Sequence, residues 1–258
     1  SATVPWIDAE RGLWWLPGFI TVGIIEILLI FVYPVLIAPL FNTFEPLENE
    51  SLQEKLTQTC KKAGIEVEGI FKMDGSKRST HSNAYFTGLG KNKRIVLFDT
   101  ILEALSEDEI SAVFAHESGH WKRNHVIKSM GLALIFTFTG FATAGFLIDN
   151  PILYNVFLLD YTPEIRYAGL MAIEFALPVI TFLIKPLLLY YQRKNEYESD
   201  EFASKYADPE ELKSGLIKLF DENLSELFPH PLYVIWNYSH PPFVKRLQNL
   251  DEQALRHE

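Results

Sequence analysis

The chain has 258 residues, of which 48% are hydrophobic, 14% aromatic and 22% charged, with a formal charge of -10. The acid excess, with basic residues gathered into neither a stripe nor a platform, gives no support for a nucleic-acid partner. A single cysteine, Cys60, excludes an intrachain disulfide and a thiolate metal cluster, and is expected to be a buried or semi-exposed thiol.

The composition is segregated: long apolar stretches alternate with charged ones, and the length has room for a folded domain plus several membrane spans. Residues 1–12 lack a basic segment followed by an apolar signal, and Ser1 is expected to follow a truncated upstream segment. From Thr21 to Phe41 the chain is almost wholly apolar, broken by Glu26, Pro34 and Pro39. About 20 helical residues cross a hydrocarbon layer of about 30 Å, so this is the first span. Trp14 and Trp15 suit an interfacial belt before it, and Glu26, costly against lipid, is expected to face other helices or water.

Asn42 to Leu52 reads as a polar exit, and Glu50 to Ala63 as a helix that Gly64 ends. Ile65 to Met73, Ala84 to Thr87 and Ile95 to Phe98 read as strands, the last two joined through the glycine- and lysine-rich turn Gly88 to Arg94. A small sheet is therefore expected. An edge strand beside a cleft can hold an extended peptide by backbone pairing. Asn83, at the start of its strand, could then donate its amide to a substrate backbone or to developing negative charge. His81 is divided between a substrate-side role and a local hydrogen bond.

Leu105-Ser106-Glu107-Asp108-Glu109-Ile110 carries a helix start, with Ser106 as N-cap, Glu109 as its capping-box partner and Leu105 with Ile110 as a hydrophobic staple. A helix continuing through Trp121 sets His116 and His120 one turn apart on one face. Two imidazoles so placed can hold a zinc ion, and the adjacent Glu117 can take a proton from the water that zinc activates. On a continuous helix His125, nine residues beyond His116, faces the opposite way, which favours a solvent or headgroup role over ligation.

Met130 to Ile148 is the second span, rich in small residues that permit close helix approach, with Asp149-Asn150-Pro151 as its end. Ile152 to Leu159 is too short to cross. The third span runs from about Ile165 to Tyr191. Its Glu174, Pro178, Lys185 and Pro186 imply kinking and a polar interior between spans. The acidic segment Arg193 to Ala203 follows, and a two-histidine site needs a further protein ligand from somewhere. Glu196 and Asp200 share a helical face, so one can ligate while the other accepts the second ring proton of a histidine. The residues alone leave Glu196, Glu198 and Glu201 open.

Ordered blocks extend well beyond the zinc motif. They are Tyr33-Pro34 with Ile37 to Asn42, Gly75 to Ser79 with His81 to Phe86, Asn92 to Thr100, the zinc helix, and Tyr238-Ser239-His240-Pro241-Pro242 with Arg246-Leu247. Over about Tyr33 to Asp251 the chain resembles the type I CAAX prenyl protease family of integral-membrane zinc metalloproteases, with a bacterial member among the readings. A more distant likeness exists to a bacterial heat-shock membrane protease.

The resemblance implies zinc ligands His116, His120 and Glu196, Glu117 as general base, and Asp200 as the partner of a ligating histidine. It places His240 and Arg246 near substrate or the tetrahedral intermediate. Asn195 and Ser118 depart from the apolar residues common at their positions in the family. The fold implied is a mainly α-helical integral-membrane zinc metalloprotease with a small β-sheet beside the catalytic helix. Such proteins have seven spans around a water-filled chamber, so the chain would be a C-terminal portion whose missing upstream spans are partners.

The expected division has a first span with its exit segment (1–49) and a small α/β subdomain with the zinc helix (50–125). Two spans with their connecting loop (126–192) and a segment with the third ligand and late active-site residues (193–258) follow. The implied activity is endopeptidase cleavage near the C-terminus of prenylated CAAX-type proteins or peptides. The implied setting is a lipid bilayer, either the bacterial inner membrane or the endoplasmic-reticulum or inner nuclear membrane. The alternatives are a membrane-protein quality-control metalloprotease and a non-catalytic zinc-containing membrane scaffold, the latter disfavoured by the intact Glu117.

Overall fold

The structure is a computed structural model that describes residues 13–77, 84–87, 94–222 and 226–257. In chain order the helices and strands are α1 (Trp15–Val32), α2 (Ala38–Phe41), β1 (Phe44–Pro46), α3 (Glu50–Ala63), β2 (Gly69–Met73), β3 (Ala84–Thr87), β4 (Arg94–Phe98) and α4 (Asp99–Ala104). There follow α5 (Glu107–Lys122), α6 (His125–Leu147), α7 (Pro151–Asn155), α8 (Arg166–Tyr206), α9 (Pro209–Glu222), α10 (Pro231–Asn237) and α11 (Phe243–His257). The chain divides into two compact units, one of residues 1–30 and 127–185, the other of residues 31–126 and 186–258.

The first unit is built on apolar helices. Three helices, Trp15–Val32, His125–Leu147 and the helical stretch Pro163–Tyr206, are long and apolar enough to cross a membrane. Their large side chains point outward: Ile24, Leu28, Leu29, Phe146, Phe175 and Phe182 are all exposed. A helix apolar on its outer face has lipid rather than water as its natural solvent. Between α1 and α6 the small residues set the spacing, since a Cβ on Gly145 would fall inside the Trp15 ring and one on Gly18 against Phe141. Trp15, the first residue of α1, also meets Phe138 of α6 edge-on at 5.5 Å. Glu26 faces α6, where its Oε1 accepts from Thr137 Oγ1 at 2.7 Å.

The limits of the apolar helices depart from the sequence reading. The first is α1, ending at Val32, after which Tyr33–Ile37 form a π-helical turn. Pro34 has no N–H to continue an α-helical ladder, and the widened turn lets Ala38 N–H reach Tyr33 O instead. The third continues without an assigned break through Pro178, Pro186 and Tyr191 to Tyr206, so the acidic segment is the same helix, α8.

The second unit holds the sheet, of order β1-β2-β4-β3, with β2 and β4 parallel and the outer pairs antiparallel. Strand β1 falls within the stretch expected to be a polar exit; three residues ending in proline persist through their pairing with β2. Helix α3 is amphipathic, burying Leu52, Leu56, Cys60 and Ala63, with Asn49 as N-cap and Gly64 at φ 65 as C-cap. The core continues through Ile95, Leu97, Ile101, Ile110, Phe114, Phe202, Leu212 and Leu250. Edge strand β3 lays Phe86 on Phe114 and Trp121 of α5, at 5.0 and 5.9 Å between ring centroids. The small sheet therefore lies beside the histidine-bearing helix, as expected.

Candidate metal centre

Helix α5 starts at the expected capping box: Ser106 Oγ accepts from Glu109 N and Glu109 Oε2 from Ser106 N. The same carboxylate accepts from Ser214 Oγ and Lys218 Nζ of α9, which anchors the start of the helix in the second unit. Burial would raise the Glu109 pKa, but the Lys218, Ser214 and Ser106 bonds outweigh it and hold the group down at about 2. One turn before its end the helix meets α8. A Cβ on Gly119 would lie 2.9 Å from Ser199 Cα and 3.0 Å from Phe202 Cβ, so glycine is what lets the two backbones approach. The neighbouring Ser118 is fully buried and donates to Phe114 O at 2.8 Å.

This close approach brings His116, His120 and Glu196 together. His116 Nε2 is 3.2 Å from His120 Nε2 and 3.5 Å from Glu196 Oε2, while His120 Nε2 is 3.2 Å from Glu196 Oε1. A tetrahedral ion with bonds of about 2.0–2.2 Å needs donor separations of about 3.3–3.6 Å, close to these edges. Glu196 Oε2 is shielded from solvent and makes no hydrogen bond of acceptable geometry among the described residues, although His240 Nδ1 is 2.9 Å away. Two ring nitrogens and a shielded carboxylate oxygen converging on one point fit a divalent metal ion.

The surroundings fix the donor atoms. Asp200, fully buried, takes the His116 Nδ1–H at 2.8 Å, which turns Nε2 toward the cluster. Arg246 from α11 grips the same carboxylate through Nε at 2.8 Å and through its Nη2 at 2.7 Å. Burial and the Arg246 cation lower the His116 pKa, but Asp200 and Glu196 prevail and lift it to about 9. The cluster thus favours positive charge where Nε2 points. Arg193 of α8 donates to Val234 O and Tyr238 O, tying down the end of α10 and with it the turn that carries His240. His240 itself remains largely exposed. Glu117 is half-buried beside His116, within the electrostatic reach of Arg246.

The other acidic candidates point elsewhere. Glu198 lies by His125, Arg123 and Lys194, and Glu201 by Arg123 and Lys205. His125 corrects the sequence reading: it is buried, with no solvent or headgroup role, because α5 stops at Lys122 and Asn124 turns the chain at φ 55. Asparagine tolerates that left-handed conformation, and the nine-residue spacing no longer follows one helix. His81 and Asn83 lie outside the described residues. The roles of Gly119 and Arg193 emerge only from the structure; a glycine inside a strongly capped helix is the sequence signal for the first.

Peptidase family M48 matches over residues 46–254. The chain is 40% identical over 229 residues to an Arabidopsis thaliana "CAAX prenyl protease 1 homolog", covering 88% of this chain and 54% of the relative. It is 37% identical over 253 residues to "CAAX prenyl protease 1" of Saccharomyces cerevisiae, covering 93% and 55%. A crystal structure of S. mikatae Ste24p superposes with a TM-score of 0.84 at 35% identity, over 95% of this chain and 60% of that one. The chain spans about half the length of the curated relatives it matches.

Proposed function

The chain belongs to peptidase family M48, and on that premise we propose that it carries the catalytic centre of an integral-membrane zinc endopeptidase. Its substrates are prenylated CAAX-type proteins or peptides, cut near their C-terminus. The observation that carries this reading is the triangle of His116, His120 and Glu196 donor atoms with Glu117 on the adjoining helical position. The names of the relatives support the substrate class. The outward apolar side chains of the long helices support a bilayer as the surroundings.

His116, His120 and Glu196 would hold the ion. Zinc, when bound, polarises a scissile carbonyl and acidifies a water. Glu117 takes the proton from the attacking water and delivers it to the leaving amine. Asp200 holds His116 in the tautomer that presents Nε2, and Arg246 keeps Asp200 ionised and oriented. His240, exposed beside Glu196, is the group within reach of a substrate and stabilises developing negative charge. Asn83 and His81 are assigned to the substrate side on sequence grounds alone.

The test uses full-length membrane protein, a prenylated CAAX peptide, an unmodified peptide and a zinc measurement on every preparation. Glu117→Gln keeps the side-chain volume and should lower cleavage at least about 100-fold with zinc retained. Cleavage of both peptides by the zinc-loaded variant would sink the base assignment. Loss of zinc together with activity would show a structural role for Glu117. Equal cleavage of the two peptides by the unaltered protein would overturn the prenyl-directed substrate class.

A further inference from the structure

Behind the pair of imidazoles that face the cluster stands a third, His125, buried and joined to them by a hydrogen-bonded line. His120 turns Nε2 toward His116 and Glu196, leaving Nδ1 on the far side of the ring. There it meets His125 Nδ1 at 3.1 Å, and His125 Nε2 meets Glu198 Oε2 at 3.3 Å. We propose that His125 and Glu198 are positioning residues that fix the tautomer and ring plane of His120 for metal binding. This rests on the reading of His120 as a ligand.

The direction of each bond follows from a count of donors. A neutral imidazole that offers Nε2 to a metal carries its proton on Nδ1, so His120 donates and His125 Nδ1 accepts. His125 then carries its own proton on Nε2, and the only acceptable partner there is an acceptor, which a carboxylate is. Glu198 is held for that purpose, with Arg123 Nη1 at 3.6 Å and Lys194 Nζ at 3.7 Å. The two rings stand nearly perpendicular, at 79°, with centroids 5.0 Å apart. The left-handed Asn124 places His125 here despite its position past the end of α5. Each histidine of the pair is therefore backed by a carboxylate, His116 directly by Asp200 and His120 through His125 by Glu198.

Outer partners of this kind are worth about 10- to 100-fold in metal affinity. Zinc affinity of the full chain in detergent, read by chelator competition, should fall by that factor in His125→Leu. The d–d absorption of its Co2+-loaded form should shift. His125→Asn can accept from His120 through Oδ1 and should recover most of the affinity. Glu198→Ala, changed at a partly exposed position, should move affinity in the same direction as His125→Leu.

Wild-type affinity in both His125→Leu and Glu198→Ala would overturn the proposal. So would His125→Asn as weak as His125→Leu at an unchanged melting temperature. If His125→Leu does not fold, Glu198→Ala decides, with weakened binding in support and wild-type binding against. His120→Ala separates the layers: wild-type affinity there overturns the ligand assignment and this inference together. Loss there with unaffected His125 and Glu198 variants overturns this inference alone.

Discussion

His116 and Asp200 are 84 residues apart in the chain and 2.8 Å apart in space, the ring Nδ1–H donating to a fully buried carboxylate. A buried carboxylate held by His116 alone would be costly, and the two bonds from Arg246 are what make it tolerable.

Removing that cation should be severe. Arg246→Ala strands the Asp200 charge and should cost about 3–5 kcal/mol in a denaturation experiment on the detergent-solubilised protein. Arg246→Lys should recover only part, since an ammonium cannot span both carboxylate oxygens. Full recovery by lysine would mean that charge alone, without the fork geometry, holds Asp200.

Metal content should single out one carboxylate of the acidic stretch of α8. Glu196→Gln should abolish stoichiometric binding, whereas Glu201→Gln should leave it unchanged, because Glu201 pairs with Arg123 and Lys205. Elemental analysis after purification reads this directly. A greater loss from Glu201→Gln or Glu198→Gln than from Glu196→Gln would move the third ligand.

Gly119→Ala adds one methyl group where Ser199 Cα leaves only 2.9 Å. Overpacking against backbone should cost about 1–3 kcal/mol and weaken metal binding, because the proposed ligands come from the two helices being pushed apart. Gly140→Ala, where nothing among the described residues beyond the helix's own neighbouring backbone lies within 4 Å, is the matched control for the helix-propensity gain and should not destabilise in the same melts.

The acid side of the stability profile should carry the mark of Glu109. Its folded pKa of about 2 lies below the ordinary 4.5. The resulting stabilisation is therefore complete above about pH 4.5 and disappears as pH falls toward 2. Glu109→Gln should lower stability at neutral pH and flatten that part of the profile. An unchanged slope between these pH values would show that the Lys218 and Ser214 contacts do not bear on folding.

Local signals were the legible ones. Ser106 and Glu109 announced the helix start, Gly64 the end of α3, and the four-residue spacing the shared face of His116 and His120. Each depends on neighbours within a turn or two of helix. What escaped depends on distant partners or on a single backbone angle. Strand β1 is too short to declare itself without β2, and Gly119 is explained only by Ser199, which comes from another helix. His125 would face outward on a continuous helix, but α5 stops at Lys122 and the φ of Asn124 decides its place. The candidate carboxylates are visible as a cluster, and what the residues alone leave open, before any family resemblance, is the choice that the packing of α8 on α5 makes by bringing Glu196 rather than Glu198 or Glu201 to the two histidines.

The interleaving of the two units also bears on biosynthesis. Translation delivers His116 and His120 first, then all of residues 127–185, which belong to the apolar unit, and only afterwards Glu196, Asp200 and Arg246. A nascent chain that has not yet made α8 therefore owns two imidazoles and no buried carboxylate to orient them. Such a chain cannot present the full triangle of His116, His120 and Glu196 to a metal ion.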